Sequence, residues 1–402
     1  MGGEAQIDAR PVSGVRPSEP ADGLVCIGEL DRFRSIAAEW QALARRSAAA
    51  TPFISWEWLF SWWQAYGVPG TLRLLAMRHE GTLVGVAPLY LARDQSSLGT
   101  PCRTLKFVGD GSFDSDYLGF VVDPAHEARF VDRFVAWLRD NREWDALSLR
   151  DMAGGSTLAA ALHARTRGLE ADFREDAGRA AVLELPATFD ALLAQLQPRF
   201  RTKLRSLLRR IDEQAVTFEY GCTPQQLRAR LRSLFQLHQR RWIAAGEPGL
   251  FGSARKRMFY AHFVPRFARR GWLRLYSLRS DRGYVAHELC FGDDGTTYLL
   301  QEGFDPSNTS ASYGQMLRAA VIRHLIERGE RRYDFLGGFS RHKESWGAVE
   351  EPIVHALLAR RNPRGFLYFR GPAWRERIGS AARRALPAPL IVAARRGLMH
   401  RP

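Results

Sequence analysis

Lysine is nearly missing from this 402-residue chain: of its 58 basic residues only Lys106, Lys203, Lys256 and Lys343 are lysines, and the rest are arginines. Such a skew reads as the mark of a GC-rich coding sequence rather than of dozens of separate functional choices. Cysteine is also scarce. Cys26, Cys102, Cys222 and Cys290 stand far apart, with no CxxC pair and no histidine cluster at metal-ligand intervals. Neither a zinc site nor a disulfide scaffold is indicated, and a reduced, cytosolic protein is expected. No run approaches the roughly 18 apolar residues of a membrane-spanning helix, and residues 1–23 form a polar leader without the apolar core of a secretory signal. GxSxG, GxxxxGK[ST], HExxH and GxGxxG are all absent. Serine hydrolysis on a nucleophile elbow, P-loop nucleotide use, zincin chemistry and dinucleotide binding therefore have no support.

What is present is ordinary in amount, with 46% hydrophobic and 25% charged residues, and the length suits two domains that each bury a core. The net charge of +15 is unevenly placed. From Arg360 to the C-terminus eleven arginines face a single acid, Glu376, so this stretch carries +10 of it. The rest of the chain is only mildly basic, which makes nucleic acid an unlikely partner for the whole protein. In the 359–402 tail Phe366, Leu367, Phe369, Trp374, Ile378, Leu390 and Ile391 alternate with arginine clusters between prolines. Short basic-amphipathic pieces of this kind suit an anionic membrane surface, at about 1 kcal/mol per basic residue; a solvated tail is the bland alternative. The expected location is the cytoplasm, with peripheral contact on the inner face of the membrane.

Strand-like and helix-like segments alternate up to about residue 359, which predicts a mixed α/β (α+β) fold. An internal repeat organises it. Gly70-Thr-Leu72-Arg73-Leu74 with Arg78 recurs as Gly271-Trp-Leu273-Arg274-Leu275 with Arg279, at an offset of 201. Gly119-Phe120 is then matched by Gly303-Phe304, and Trp144-Asp145-Ala-Leu147 with Gly154-Gly155 by Tyr333-Asp334-Phe-Leu336 with Gly337-Gly338. Three matches in the same order predict two copies of one unit, 24–187 and 188–358.

In the second copy Ala180–Leu185 reads as a strand. Pro198 opens a helix with Phe200, Leu204, Leu207, Leu208 and Ile211 on one face and Arg199, Arg201, Lys203, Arg205, Arg209 and Arg210 on the other. That basic face is either solvated or a contact for an RNA or CoA phosphate. Pro224 begins a longer helix with the stripe Leu227, Leu231, Leu234, His238 and Trp242. Asp293-Asp294-Gly295 is a hairpin turn. The periodic segment from Ser312 to Arg328 is a helix stopped by Gly329, and Ser312-Tyr313-Gly314 opens it with unpaired N–H groups that suit a pyrophosphate or simply an N-cap.

These residues carry a resemblance. The series Phe53-Ile-Ser-Trp56-Glu-Trp58, Gly85-Val-Ala-Pro88-Leu89, Leu237-His238-Gln-Arg-Arg241-Trp242, Gly303-Phe-Asp305-Pro306, Ser312-Tyr313-Gly314 and Tyr333-Asp334-Phe-Leu-Gly337-Gly338 with His342-Lys343 and Trp346 resembles the GNAT-superfamily acyltransferases of bacterial cellulose biosynthesis. It is similar, more distantly, to the Fem peptidyltransferases. The resemblance spans about 24–358 and implies a tandem duplicated GNAT fold of mixed sheets flanked by helices, with a catalytic second copy.

It also implies chemistry. A splayed fourth strand would offer backbone N–H groups to the thioester carbonyl of acyl-CoA, which is a co-substrate and not a permanently bound cofactor. The matching strand is Val285–Phe291, and Ser312, Tyr313, Gly314 and Gln315 form the phosphate turn; the family turn has two or three glycines where this one has Gly314 alone. A base is needed near that strand. His287 and Glu288 are the candidates, adjacent on a strand and so facing opposite ways. Asp305 is a further catalytic candidate or a turn cap. His238, Arg241, Trp242, Asp334 and Lys343 are candidates for acceptor binding, with a core histidine and an exposed structural lysine as the alternatives for His238 and Lys343. Asp114, Asp116 and Tyr117 resemble a family loop facing the cleft between the copies. The expected activity is acyl transfer from acyl-CoA to an amine or hydroxyl of an envelope polysaccharide or lipid-like precursor, by direct attack, with no metal. A Fem-like aminoacyl-tRNA-dependent peptidyltransferase and a non-catalytic polysaccharide-export assembly factor are the alternatives.

Overall fold

The computed structural model describes residues 22–47, 51–154, 157–166, 171–213, 216–221, 223–307 and 311–372. The polar leader through residue 21, Cys222, residues 308–310 just before the Ser312–Gln315 turn, and the tail beyond 372 lie outside them.

The first half runs β1 (Gly23–Ile27), α1 (Leu30–Ser35), α2 (Ala37–Ala44), α3 (Trp56–Tyr66), β2 (Leu72–His79), β3 (Thr82–Gln95), β4 (Pro101–Phe107), β5 (Val121–Val122), α4 (Glu127–Asp140), β6 (Ala146–Ala153), α5 (Thr157–Arg165) and β7 (Ala171–Glu184). Two helices without a counterpart follow, α6 (Phe189–Gln195) and α7 (Pro198–Asp212). The second half is β8 (Thr217–Tyr220), α8 (Pro224–Ala244), α9 (Ala254–Arg269), β9 (Leu273–Ser280), β10 (Gly283–Asp293), β11 (Thr296–Phe304), α10 (Tyr313–Glu327), β12 (Arg332–Gly337), α11 (Arg341–Glu344) and β13 (Val349–Arg360). The local signals act as expected. Pro198 and Pro224 occupy first helical turns, and Thr223 with Gln226 forms a capping box. Asp294 and Gly295, both at positive φ, close the β10–β11 hairpin.

All strands join one mixed sheet whose order, β1-β2-β3-β4-β6-β13-β7-β12-β11-β10-β9-β8, is the same pattern from either end; β5 pairs beside β3. In each half an antiparallel series ends on a short parallel pair, β4 with β6 and β11 with β12. The closing strands are exchanged. β7 pairs with β12, and β13 pairs with β6, while β7 and β13 lie antiparallel along their whole length. A boundary at 187/188 in the sequence therefore does not divide the sheet, since each half supplies one strand to the other.

The repeat blocks fare unequally. Leu72–Leu74 and Leu273–Leu275 begin the equivalent strands β2 and β9, but Gly303-Phe304 ends β11 whereas Gly119-Phe120 lies in irregular chain before β5. The third block leads into β6 in one copy and lies within β12 in the other.

The halves are bolted together by aromatic rings. Trp58 of α3 sits 4.9 Å from Phe259 and 4.8 Å from Phe263 of α9, and 5.7 Å from Phe291 of β10. Each such ring, fully buried, contributes about 1.5–3 kcal/mol. The expected tail begins inside this body: β13 reaches Arg360, residues 363–372 are helical, and Phe369 is buried against Cys102, Ala146 and Ala359. Arg360 donates to the carbonyls of Leu138 and Asn141 and lies 4.2 Å over Trp144, so its charge is spent on the first half and not on a membrane. Among the described residues no helix is long and apolar enough to cross a membrane, and no cluster of His, Cys, Asp or Glu could hold a metal ion.

Candidate active site

Strands β11 and β12 touch at three positions, Thr296 to Tyr298 with Arg332 to Asp334, and then part. Leu300 makes the departure possible. The register against β10 passes from Leu299–Cys290 to Gln301–Leu289, leaving Leu300 as a bulge that bends β11 where it loses its parallel neighbour. From there to Phe304 the strand has no strand partner on that side. The splayed strand is thus β11 and not Val285–Phe291. Those residues belong to β10, which is flanked on both edges by β9 and β11 and so does not part from a neighbour.

The opening holds a cavity of about 390 Å³ lined by Arg241, Glu302, Phe304, Asp305, Pro306, Ser312 to Gln315, Arg318 and His342. One wall is the N-terminus of α10, where Ser312 sits in the left-handed region at φ 52° and no side chain among the described residues caps the first turn. The N–H groups of a first helical turn and the helix dipole give this wall positive character. Gln315 adds a buried Oε1 without a partner. Gly314 is needed for packing, because a Cβ there would stand 2.7 Å from the Phe304 ring. Gly303 is needed for the same reason, with the backbone of His238 and Leu234 in α8 under 3 Å from where its Cβ would be.

An ionic chain crosses the floor. Glu302 accepts from Arg241 at 2.7 Å and from Arg318. Arg318 also donates to Glu288 at 3.0 Å and reaches His342 Nε2 at 3.2 Å, and the Tyr333 hydroxyl donates to Glu288 at 3.0 Å. Burial opposes the charge of Glu302, yet Arg318 and Arg241 hold its carboxyl down at about 2. Burial wins at Glu288, pushed up to about 7 in spite of Arg318. Arg318 is desolvated as well, but its two carboxylates keep it firmly cationic. Burial and Arg318 lower the pKa of His342, leaving a neutral imidazole on the cavity wall.

The sequence-predicted residues divide into three groups. Arg241, Asp305, Ser312, Tyr313, Gly314 and Gln315 converge on the cavity, although Asp305 also accepts the Ser307 N–H in an Asp-Pro turn. His287 and Glu288 do face opposite ways, but neither faces a cleft. β10 is an interior strand covered by α8 on one side and α10 on the other, so both are sealed, at 0% and 1% exposure. His287 bonds Ser277 at 2.8 Å, and its pKa is lowered to about 3 by burial; Glu288 reaches the site only through Arg318. His238 is buried behind β11, accepts from Trp242 at 2.9 Å, and is lowered to about 4 by burial. Neither it nor Trp242 lines the cavity.

The last group lies outside the cavity lining, around the end of β12. Asp334 accepts from the Tyr117 hydroxyl at 2.8 Å and from the Leu336 N–H, and Asp116 accepts from the Gly337 N–H. Burial raises these carboxyls, to about 7 and about 6. Asp114 instead pairs inside with Lys256 at 2.6 Å and Tyr260 at 2.9 Å. Lys343 donates to four successive carbonyls, of Phe335, Leu336, Gly337 and Gly338, at 2.7–3.1 Å. A compact ammonium fits this cup and a planar guanidinium does not. Lys343 thus ties the start of α11, which carries His342, to the end of β12. Sequence reasoning assigned no role to Glu302, Arg318 or His342. Arg318 had a signal, as a charge on a helix face where Met316, Leu317 and Ala319 to Ile322 are all buried.

Residues 198–344 match the family described as Acetyltransferase (GNAT) domain, so over this stretch the chain is similar to GNAT-type acetyltransferases. No curated protein matches the sequence. The crystal structure of FemX superposes with TM-score 0.55 at 12% identity, over 80% of this chain and 95% of that one. A conserved protein of unknown function from Bacteroides thetaiotaomicron superposes with TM-score 0.50 at 15% identity, over 81% and 97%. At these identities the likeness is one of fold: this chain has the mixed α/β architecture of a duplicated GNAT protein.

Proposed function

We propose that the chain transfers an acyl group from acyl-CoA to an amine or hydroxyl of an envelope precursor, polysaccharide or lipid-like, in the second-half cavity. The observation that carries this is the parting of β11 from β12 directly in front of the N-terminus of α10, which no described side chain caps, inside the stretch that matches a GNAT domain. The residues fit a CoA thioester. The α10 N–H groups suit its pyrophosphate, the orphaned Gln315 Oε1 suits an amide N–H of its pantetheine arm, and the free edge of β11 suits a carbonyl that becomes an oxyanion. The envelope acceptor rests on the resemblance to the cellulose-biosynthesis enzymes.

In the reaction the acceptor nitrogen or oxygen attacks the thioester carbonyl, the C–S bond breaks, and the thiolate leaves and takes up a proton. The proton shed by the acceptor goes to Nε2 of His342, uncharged at neutral pH, once Arg318 yields that contact and keeps its two carboxylates. Glu302, held near a pKa of 2, is too weak a base and serves with Arg241 and Arg318 as a charged anchor. An acyl-enzyme has no support, because the Cys290 thiol is sealed and pushed well up by burial.

The test is thiol release from acyl-CoAs of graded chain length against a panel of amines and hydroxyl acceptors. Release with a defined pair is expected, with His342→Gln lowering kcat by about 100-fold or more. No release, together with no rise in melting temperature from any acyl-CoA, would sink the reading.

A further inference from the structure

The basic face of α7 is not a uniformly solvated surface. A second groove, of about 720 Å³, runs along it and is lined by Arg199, Thr202, Lys203, Ser206, Arg210 and Ser312 among others. On the helix Arg199, Lys203, Ser206 and Arg210 form one stripe at steps of four, three and four residues, with Thr202 beside it, about 16 Å long from 199 to 210 at 1.5 Å per residue. Ser312 closes its inner end, and the same residue lines the reaction cavity. Arg210 donates to the Ala311 carbonyl at 3.0 Å, tying α7 to the start of α10. No carboxylate lines the groove. Arg199 and Lys203 are exposed and have no carboxylate partner among the described residues. The apolar side is fixed, with Phe200 edge-on to Trp346 at 5.1 Å.

We infer that this groove takes the nucleotide end of the acyl donor, with Arg199 and Lys203 binding its terminal phosphomonoester and the hydroxyls of Thr202 and Ser206 completing the cradle. The inference rests on the acyl-CoA reading and adds a recognition site to it. Two features agree. The groove leads outward from the helix terminus where a pyrophosphate would sit. Its basic and hydroxyl side chains offer a doubly charged phosphate what a single helix terminus does not. A single-stranded RNA end fits less well, since it wants exposed rings for stacking and Phe200 is already packed.

The experiment compares acyl-CoA, acyl-3′-dephospho-CoA and acyl-pantetheine as donors for the wild type and for the Arg199→Glu/Lys203→Glu variant, with melting temperatures to confirm folding. In the wild type, loss of the 3′-phosphate is expected to raise KM about tenfold or more, with kcat kept. In the variant, acyl-CoA should fall to the level of the dephospho donor, which itself changes little. Equal KM for both donors in the wild type, or equal losses for both in the variant, overturns the proposal while leaving acyl transfer intact. If no donor is turned over and a tRNA acceptor hairpin binds in a salt-sensitive manner that the variant abolishes, the donor reading fails and the groove is an RNA surface.

Discussion

The two halves place the same strands around the same kind of opening and fill it differently. Beside the β4–β6 pair lies a cavity of about 400 Å³ walled largely by Ile54, Leu118, Phe120, Val122, Val131 and Leu158. Beside β11–β12 the cavity of similar size is walled by Arg241, Glu302, Arg318 and His342. Helix α4 has an acid, Glu127, in its first turn, where it offsets the dipole; α10 has none. At the offset of 201, His287 and Glu288 on β10 correspond to the buried Val86 and Ala87 on β3. One framework thus encloses a largely apolar opening in the first half and an ionisable one in the second.

The sharpest way to break this comparison is Arg318→Ala. It strands the buried Glu288 and frees Glu302, so a loss of about 3–5 kcal/mol in unfolding free energy and of nearly all turnover is expected. Glu127→Gln in the first half should change stability by about 1 kcal/mol or less and leave turnover alone. Denaturant titration and the thiol-release assay read both. Lys343→Met should cost about 1–3 kcal/mol by leaving partly buried carbonyls unpaired, and should lower kcat more than it raises KM. Lys343→Arg should fail to restore kcat, because a planar fork does not fill the carbonyl cup.

Acid sharpens the contrast further. His287 is neutral in the fold with its pKa lowered to about 3, while in the unfolded chain it titrates near 6.5. Its contribution is therefore fully present above pH 6.5 and is lost as the pH falls toward 3, by about 2 kcal/mol at pH 5. His287→Val, the first-half residue at this register, should flatten that part of the stability profile. The smallest expected effect concerns the second repeat block. Gly303→Ala forces a Cβ to within 2.8 Å of the α8 backbone and should cost about 1–3 kcal/mol. Gly119→Ala meets nothing within 4 Å and should stay within about 0.5 kcal/mol. Equal costs would restore the equivalence of the two glycines that the fold denies.

Much of this was legible in the sequence because local physics writes it there. The first helical turns at Pro198 and Pro224, the Asp294-Gly295 turn, the stop at Gly329 and the β2/β9 repeat follow from dihedral limits and periodicity. The helix start at 312–315 was legible for the same reason, since a helix start is a local event. The ionic residues of the cavity were not. His287 and Glu288 alternate along their strand as expected, but whether an alternating position faces a cleft depends on which strand lies at an opening, and a single bulge at Leu300 decides that for β11. Glu302, Arg318 and His342 were hidden because they come from three elements and meet only when α10 and the turn after β12 pack over the splayed strand.

The sequence by itself determined a duplicated α/β chain, its hairpins and helices, a basic face on α7 and a C-terminal concentration of arginine, all set by spacing within a few turns of chain. Tertiary structure alone decided that β7 and β13 change places, that Arg360 is spent on first-half carbonyls, that Lys343 cups a turn, and that Arg318 joins two carboxylates below the cavity. The reason is physical. Burial and charge pairing depend on what arrives from distant chain, and a side chain's partners there, rather than its neighbours in sequence, fix both its charge and its use.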